Sequence, residues 1–193
     1  MSIALPVPRS PRVLGDVVPG GLARDAALVL GGAALTAAAA QVAIPLPVTP
    51  VPLTLQTLAV LLVTASLGTV RGVASMLLYL LVGLTGAPVF SHGTSGWGGA
   101  SFGYVVGFVA AGVVVGRLAE RGGTHTPART AAVMVVGNLV VYAVGVPWLM
   151  AVAHVDVSAA FGLGVVPFLI GDAIKVVVAA GLLPATWRLA GRR

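Results

Sequence analysis

The chain has 193 residues, of which 58% are apolar and only 8% are charged, and its mean hydropathy is +1.06. A soluble domain usually carries about 25% charged residues, so this composition excludes a soluble enzyme and a disordered chain. The net charge of +6 is scattered between long apolar runs instead of clustered, which excludes a nucleic-acid partner. The sequence therefore predicts an all-α integral membrane protein that is embedded in a lipid bilayer.

Several residue types and motifs are absent from the sequence, and their absence excludes further kinds of site. The chain has no cysteine, so it can form neither a disulfide framework nor a thiolate metal site. Its only lysine, Lys175, is followed by Val176, so no G-x-x-x-x-G-K-[ST] phosphate loop is present. His92, His125 and His154 have no partners at the spacing typical of metal ligands. We expect no metal, no cofactor and no ATPase site on this chain.

Six apolar segments follow one another, each long enough to cross a ~30 Å hydrocarbon core. No charge lies between Asp25 and Arg71 or between Arg71 and Arg117, and each gap can hold two spans and a connection. Four prolines in residues 44–52 divide the first gap, because proline interrupts a helix, and a Gly/Ser stretch over residues 91–101 divides the second. The predicted helices are residues 26–44, 53–69, 72–88, 102–119, 130–149 and 160–187.

Residues 1–193 are expected to form one six-helix membrane domain in which residues 1–25 are a polar N-terminal tail. This tail lacks the compact apolar core of a cleavable signal peptide. All ten arginines fall in the tail, in the connections 2–3 and 4–5, or after the last helix, and the other three connections contain no Lys or Arg. Because positive charge stays inside, both termini are predicted to be cytoplasmic in a multi-pass protein of a bacterial plasma membrane.

Asp172 and Lys175 are charged residues inside an apolar predicted helix. A charge at the centre of a membrane span costs roughly 2.5–3.5 kcal/mol on insertion scales, so such residues are functional candidates. At a spacing of three they share a helix face and can pair. The pair could be an internal salt bridge that holds the bundle, or the polar end of a ligand pocket, and we favour the pocket. Gly171 before them permits a close approach by a ligand or a helix.

The Pro-rich connection leads into a cluster of polar groups. Gln56 follows Thr54 and precedes Thr57 at a proline-initiated helix start, which places amide and hydroxyl groups together. Gln41, on the other side of the connection, is interpreted as an interfacial residue. A plain turn needs two or three turn residues and not nine, so this stretch is expected to have a function.

Helix 1 carries small residues at a spacing of four. Ala33 with Ala37 and Ala34 with Ala38 both satisfy this pattern, which lets two helix backbones approach closely. The surface could pack inside the bundle or dock onto a partner protein, and the residues alone favour neither.

A G-x-S-G element at residues 93–96 invites a different interpretation. Six-helix intramembrane serine proteases use such a serine on a helix start, hydrogen-bonded to a histidine on another helix. Here Ser95 lies in the middle of a Gly-rich loop, and His154 is predicted in another outer loop. A protease remains only a remote alternative.

Four segments together resemble one family, and they occur in family order from helix 1 to helix 6. The run QVAIPLPVTPVPLTLQTL at residues 41–58 is the most specific, followed by YLLVGLTGAPVF at 79–90, GYVVGF at 103–108 and PFLIGDAIK at 167–175. They resemble the BioY family, the biotin-specific substrate-binding (S) component of energy-coupling factor (ECF) transporters.

The resemblance implies a six-helix bundle like that of ECF S components, without catalytic residues. Such a protein captures biotin at its outer face, and ATP is hydrolysed only on partner subunits. It would dock through the small-residue pair Ala34 and Ala38 onto a transmembrane coupling subunit, which is driven by two ATP-binding subunits.

The resemblance also implies a set of biotin contacts. Gln56, Asp172 and Lys175 would bind polar atoms of biotin, and Tyr104 would form a wall of the pocket. Thr54 adds a hydroxyl group beside Gln56. The outer connections contain no arginine to meet the acid group of biotin, so backbone N–H groups of the Gly-rich loop and the hydroxyl of Ser91 or Ser101 are candidates.

A stand-alone secondary transporter is the competing class. Asp172 would then act as a proton-coupling carboxylate during uptake of a small organic acid. Such transporters usually contain internal repeats with paired broken helices, and no such repeat is visible in this sequence.

Overall fold

The computed structural model describes residues 12–191, so Arg9, Arg192 and Arg193 lie outside the described residues. Within that range the chain is mainly helical, with one two-stranded sheet and three short 3-10 turns. The elements in chain order are α1 Leu22–Gln41, β1 Ala43–Ile44, β2 Leu53–Thr54, α2 Gln56–Leu84, α3 Phe102–Glu120, α4 Pro127–Ala153, α5 Val157–Gly164 and α6 Leu169–Ala190. Five helical stretches of the described chain are long and apolar enough to cross a membrane: α1, α2, α3, α4 and Val157–Ala190.

Helix α2 reverses direction at Gly68, one residue before the predicted end of helix 2. Gly68 has a φ of 78°, a left-handed conformation that costs glycine least. A Cβ placed on Gly72 would lie 2.9 Å from Thr64 Cα, so the chain packs back on itself. Gln56 Nε2 and Tyr79 Oη are 2.5 Å apart, whereas 23 residues of straight helix would separate them by about 35 Å. The halves 56–67 and 69–84 therefore lie antiparallel.

Polar contacts gather the reversal, the start of α1 and the end of α3 at one end of the bundle. Arg71 Nε is 2.9 Å from Asp25 Oδ1 of α1, and its Nη1 is 2.8 Å from Asp16 Oδ1. Glu120 Oε1, at the last residue of α3, accepts the Thr69 backbone N–H at 2.7 Å. We call this the arginine end, because Arg24, Arg71, Arg117, Arg121, Arg129 and Arg188 belong to it.

The last helix also reaches the arginine end. Trp187 Nε1 donates to Thr124 Oγ1 at 3.0 Å, in the connection between α3 and α4. The indole ring packs edge-on against His125, with centroids 4.5 Å apart.

The opposite end, which we call the cavity end, collects the remaining connections. Gln41 Nε2, at the end of α1, donates to the Phe90 carbonyl at 3.2 Å, in the connection between α2 and α3. Trp148 Nε1 of α4 donates to the Gly99 carbonyl at 3.0 Å. Gln41 is exposed, which is compatible with its interpretation as an interfacial residue, and its amide also bonds to the loop.

The Pro-rich connection forms a small antiparallel sheet. Ala43 pairs with Thr54 and Ile44 pairs with Leu53, so β1 and β2 close a loop over residues 45–52. Helices 1 and 2 were expected to reach residue 44 and to start at residue 53, but they end at Gln41 and start at Gln56. Prolines remove helix donors and hold the preceding residues extended, which favours strands there.

The prediction of one continuous helix over residues 160–187 was wrong. Helix α5 ends at Gly164, a 3-10 turn spans Val166–Phe168, and α6 begins at Leu169. Pro167 lies at the start of that turn, where it cannot donate a backbone hydrogen bond. The Gly164 carbonyl instead accepts the Tyr104 hydroxyl at 2.9 Å, which replaces a helical hydrogen bond at the break.

Part of the predicted N-terminal tail packs against the bundle. Val13 is only 3% exposed, and its side chain lies next to Gly68. Asp16 accepts the Arg12 and Val13 backbone N–H groups and pairs with Arg71. Helix α1 also starts at Leu22, four residues before the predicted start.

The outward face of α6 is apolar. Ile170, Ile174 and Val177 are 79%, 62% and 72% exposed, and their spacing of four and three residues places them on one stripe. Asp172 and Lys175 are buried on the opposite side. A helix that exposes its apolar stripe and buries its charges is typical of a membrane-facing element.

Candidate functional site

A cavity at the cavity end lies between α2, α3, α4 and α6, with β2 beside it. The empty space within it is about 530 Å³, a figure that includes its open mouth. All six residues predicted to contact a ligand line it, namely Thr54, Gln56, Ser91, Tyr104, Asp172 and Lys175. The structure thus brings together side chains that are up to 121 residues apart in the sequence.

Asp172 and Lys175 form an ion pair in the cavity wall. Lys175 Nζ is 3.2 Å from Asp172 Oδ1, and each side chain is 11% exposed. Lys175 Nζ also donates to Thr57 Oγ1 at 2.7 Å. The Tyr142 hydroxyl donates to the other carboxylate oxygen, Asp172 Oδ2. Both oxygens of Asp172 are therefore occupied in this structure, and a ligand that binds Asp172 must displace a donor or share its oxygen.

The break before α6 positions the Asp172 carboxylate. Because α6 begins at Leu169, Asp172 lies in its first turn, where the positive end of the helix dipole stabilises an anion. Gly171 brings β2 against the helix, since a Cβ there would lie 2.9 Å from Leu53 Cδ1. The helix start and the small sheet together form one wall of the cavity.

Gln56 is fixed at the first residue of α2. Its side chain is buried, its backbone N–H donates to Thr54 Oγ1 at 3.2 Å, and its Nε2 donates to Tyr79 Oη. Tyr79 in turn donates to the Val89 carbonyl at 3.1 Å. This chain of hydrogen bonds links the Pro-rich connection to the next loop, and the Gln56 carboxamide oxygen lies beside the Thr54 hydroxyl at 3.5 Å.

Tyr104 is a rigid wall of the cavity. It is 7% exposed, and its hydroxyl is committed to the Gly164 carbonyl. Its ring meets Tyr142 edge to face, with centroids 6.4 Å apart at 90°. Gly145 allows this packing, because a Cβ there would overlap the Tyr104 ring at 2.5 Å.

A second, outer cavity continues from the first toward the surface. Its volume is about 780 Å³ including open space, and Pro52, Ser91, Ser101 and Val105 line both cavities. The rest of its wall comes from Pro50 of the Pro-rich connection and from residues 90–102, which contain the Gly-rich stretch. The two cavities are therefore adjacent, and Asp172 and Lys175 line the inner one.

Two polar residues of the site, Tyr142 and Asn138, were missed by sequence reasoning, whereas Thr57 was noted as a neighbour of Gln56 but not as a partner of Lys175. Thr57 and Tyr142 contact the ion pair, and Asn138 lines the cavity near Lys175. Asn138 is 8% exposed, and its side chain makes no hydrogen bond with another described residue. A lone Tyr or Asn in a long apolar run carries no spacing signal, so only the packing of α4 against α6 reveals them.

The predicted docking pair lies away from the cavity. Ala34 and Ala38 are exposed on the outer face of α1, whereas Gly32, Ala33 and Thr36 of the same helix are buried. The interpretation in which this pair packs inside the bundle does not apply to the described chain, because the pair faces outward.

Ser95 shows no catalytic arrangement. It lies in the loop that lines the outer cavity, and no hydrogen bond joins it to a histidine of the described chain. Residues 12–191 also contain no group of three His, Asp or Glu side chains that could hold a metal ion.

The chain is similar to proteins of one family. The model of the BioY family matches residues 10–192. "Biotin transporter BioY2" of Lactococcus lactis subsp. cremoris is 39% identical over 78% of this chain and 83% of its own length. "Biotin transporter BioY" of Thermotoga maritima is 39% identical over 71% of this chain and 81% of its own length.

The fold has a counterpart among solved structures. A crystal structure of the S-component for biotin from an ECF-type ABC transporter superposes with a TM-score of 0.77 at 22% identity, covering 86% of this chain and 92% of that one. The sequence matches confirm the family that the four motifs indicated. The chain belongs to the BioY family.

Proposed function

We propose that the chain is the substrate-binding component of an ECF-type transporter, which captures biotin and takes part in its uptake. Membership of the BioY family and the names of its relatives support this function. The observation that carries the proposal is the ion pair of Asp172 and Lys175 in the wall of a cavity that opens toward one end of the bundle.

The two adjacent cavities suit an elongated molecule with two polar ends. The inner cavity offers the Asp172, Lys175 and Gln56 groups, and apolar side chains such as Val105 and Phe108 line it as well. Biotin has a ureido ring at one end, an aliphatic chain, and a carboxylate at the other end. We place the ureido ring in the inner cavity.

The outer cavity would hold the carboxylate of biotin. Ser91 and Ser101 line both cavities, and their hydroxyls can donate to an anion. Backbone N–H groups of the Gly-rich loop supply further donors without a charged side chain.

Ligand binding would open the ion pair. A ureido N–H can donate to Asp172 where Lys175 or Tyr142 donates in this structure, and the freed Lys175 ammonium can donate to the ureido carbonyl. Hydrogen bonds to charged groups in a water-poor cavity are stronger than neutral ones. The face of the Tyr104 ring would pack against the ureido ring and hold it in place. The Thr54 hydroxyl would hold Gln56 in position.

We infer a topology of six spans in one domain over residues 1–193, with both termini cytoplasmic in a bacterial plasma membrane. The reversal at Gly68 supports two antiparallel spans in α2. The arginines of the described chain gather at one end, which the positive-inside rule places in the cytoplasm. The cavity then opens to the outside, where biotin is captured.

Energy for uptake would come from partner subunits. Ala34 and Ala38 on the exposed face of α1 would dock onto a transmembrane coupling subunit, because small residues permit close contact between helices. Two ATP-binding subunits would complete the ECF module.

Equilibrium binding of labelled biotin to the detergent-purified chain tests the capture step. We expect saturable binding at one site that unlabelled biotin displaces. Absence of binding by a chain whose helical circular dichroism is intact would contradict the proposal.

Uptake into cells that carry an ECF module tests the docking step. Ala34→Trp combined with Ala38→Trp should abolish uptake and leave biotin binding unchanged. Val177→Trp, a substitution on the exposed face of α6, is the matched control and should retain both. Uptake by the chain alone, driven by a pH gradient, would instead support the secondary transporter.

A further inference from the structure

A groove at the arginine end has no role in the proposed capture of biotin. It lies between the end of α3 and the start of α4 and has a volume of about 660 Å³ including its open side. Arg121 and Arg129 line it, and both side chains are exposed. We call it the basic groove.

The two arginines of the basic groove have no anionic partner in the described chain. The whole sequence contains only five acidic residues. Each of them is engaged elsewhere: Asp16 and Asp25 with Arg71, Glu120 with the Thr69 N–H, Asp156 with the Ala159 N–H, and Asp172 with Lys175. The groove therefore presents two positive charges that form no ion pair with an acidic side chain of the described chain.

The groove is amphiphilic along its length. Arg129, Ala132, Val133 and Val136 of α4 all line it, and their spacing places them on one helix face that runs from the helix start into the apolar part of the bundle. Leu118 of α3 forms an apolar part of the facing wall. A cationic end followed by an apolar trough matches a molecule with an anionic head and a hydrocarbon tail.

The groove also keeps space open at its charged end. The connection there includes Gly122 and Gly123, both of which line the groove. A Cβ on Gly123 would lie 2.6 Å from the Leu118 carbonyl oxygen, so the turn packs tightly onto α3. Gly122 and Gly123 have no side chains that could fill the groove.

We infer that the basic groove binds one anionic phospholipid of the inner leaflet, with its phosphate between Arg121 and Arg129 and an acyl chain along Val133 and Val136. Arginine recognises phosphate by paired N–H groups, and basic pockets between membrane helices bind anionic headgroups. The inference rests on the membrane orientation proposed above, which places the arginine end in the cytoplasmic leaflet.

Native mass spectrometry of the full chain tests this site. The detergent-purified protein is titrated with phosphatidylglycerol or with phosphatidylcholine of the same acyl chains. We expect one phosphatidylglycerol to bind more tightly than phosphatidylcholine. In the double variant Arg121→Gln/Arg129→Gln this preference should fall by about tenfold. Each basic residue near an anionic lipid surface raises the affinity roughly fivefold, and charge screening lowers the combined effect of two such residues.

A matched pair of substitutions separates the groove from net charge. Arg117→Gln/Arg188→Gln removes the same two charges at the same end of the bundle, but neither residue lines the groove. This control should retain the preference. Equal losses in the two double variants would overturn the inference, because attraction by net charge alone would then explain the binding.

Two further measurements test which molecule binds in the groove and whether each variant is folded. Val136→Ser makes the exposed apolar wall polar and should weaken phosphatidylglycerol without changing the binding of inorganic phosphate. Inorganic phosphate that binds as tightly as the lipid would overturn the lipid assignment. Biotin binding reports the fold of each variant. A chain that holds phosphatidylglycerol but not biotin would contradict the proposed function and leave this inference standing.

Discussion

Carboxylates pair with cations at both ends of the bundle, but the two ends use the pairs differently. At the arginine end, Asp16 and Asp25 both bind Arg71 and thereby tie α1 and the preceding turn to the reversal at Gly68. At the cavity end, the ion pair of Asp172 and Lys175 lies within a single helix, and only single hydrogen bonds to Thr57 and Tyr142 link it to α2 and α4.

The two pairs also differ in what surrounds them. The Asp172 and Lys175 side chains are 11% exposed, whereas Arg71, Asp16 and Asp25 are 18%, 31% and 37% exposed. The less exposed pair is the costlier to bury, and it is the one that borders a cavity. An ion pair that connects elements at a wetter surface is structural, whereas a costly pair beside open space indicates a binding site.

The largest expected effect is that of Asp172→Asn on biotin affinity, and removal of one carboxylate at the arginine end is its control. Asp172→Asn leaves Lys175 buried without its carboxylate and removes the acceptor proposed for the ureido group. We expect biotin affinity to fall at least about thirtyfold, as for loss of one partner of a buried pair. Asp25→Asn, the matched change at the arginine end, should leave affinity unchanged. Equal effects of the two substitutions on labelled-biotin binding would remove the distinction between the ends.

Removing one hydroxyl tests how the loops of the cavity end are held. Tyr79→Phe deletes the group that accepts from Gln56 and donates to the Val89 carbonyl. The free energy of unfolding should fall by about 1–2 kcal/mol, and biotin should bind more weakly. Trp187→Phe, which removes the hydrogen bond to Thr124 at the arginine end, is the counterpart. The thermal unfolding of Trp187→Phe can shift by a similar amount. A loss of biotin affinity in this variant would contradict the distinction between a structural arginine end and a binding cavity end.

One added methyl group tests the contact between β2 and α6. Gly171→Ala would press against Leu53, which must leave its preferred rotamer at a cost of about 0.5–1.5 kcal/mol. Biotin affinity should therefore fall by about two- to tenfold. Gly181→Ala on the same helix meets no neighbouring atom within 4 Å and is the control. Unchanged affinity in Gly171→Ala would show that this wall does not shape the site.

The smallest effect concerns acid stability at the arginine end. Burial acts to raise the pKa of Asp16, but the hydrogen bonds from Arg71 and from backbone N–H groups outweigh it, so the pKa lies below its usual 3.8. The stabilisation is therefore complete above that value and is lost as the pH falls through the lowered pKa. Such a partly exposed pair contributes about 0–1 kcal/mol.

Thermal unfolding in detergent between pH 6 and pH 3 measures this contribution. The wild-type chain should lose slightly more stability on acidification than Asp16→Asn, which has no carboxylate to titrate at this position. A variant with the same or a steeper pH dependence would contradict the assignment of Asp16 as a structural partner of Arg71.

Charge placement and motif order were sufficient to predict the family and a helical membrane protein. The six predicted site residues line one cavity, because an apolar chain tolerates few buried polar groups and those few stand out. Whether they contact biotin stays a prediction. Long-range partners could not be predicted in this way. Tyr142 and Asn138 occur singly in apolar runs, where an aromatic or amide side chain is equally compatible with packing.

Breaks in helices were only partly predictable. Proline marked the Pro-rich connection, but the two-residue strands depend on pairing across the loop, which no local pattern specifies. The break after Gly164 depends on a hydroxyl from Tyr104, 60 residues earlier. Asp16 was assigned to a polar tail because its partner, Arg71, is 55 residues away. In each case a tertiary contact decides the local structure.

A structure of the chain with biotin bound tests the central claim most directly. The account predicts the ureido ring at the inner end of the cavity, with a ureido nitrogen within about 3 Å of an Asp172 carboxylate oxygen. The Lys175 ammonium should then have moved from Asp172 toward the ureido carbonyl. Biotin found elsewhere, or bound with the contacts of Asp172 to Lys175 and Tyr142 unchanged, would contradict the account.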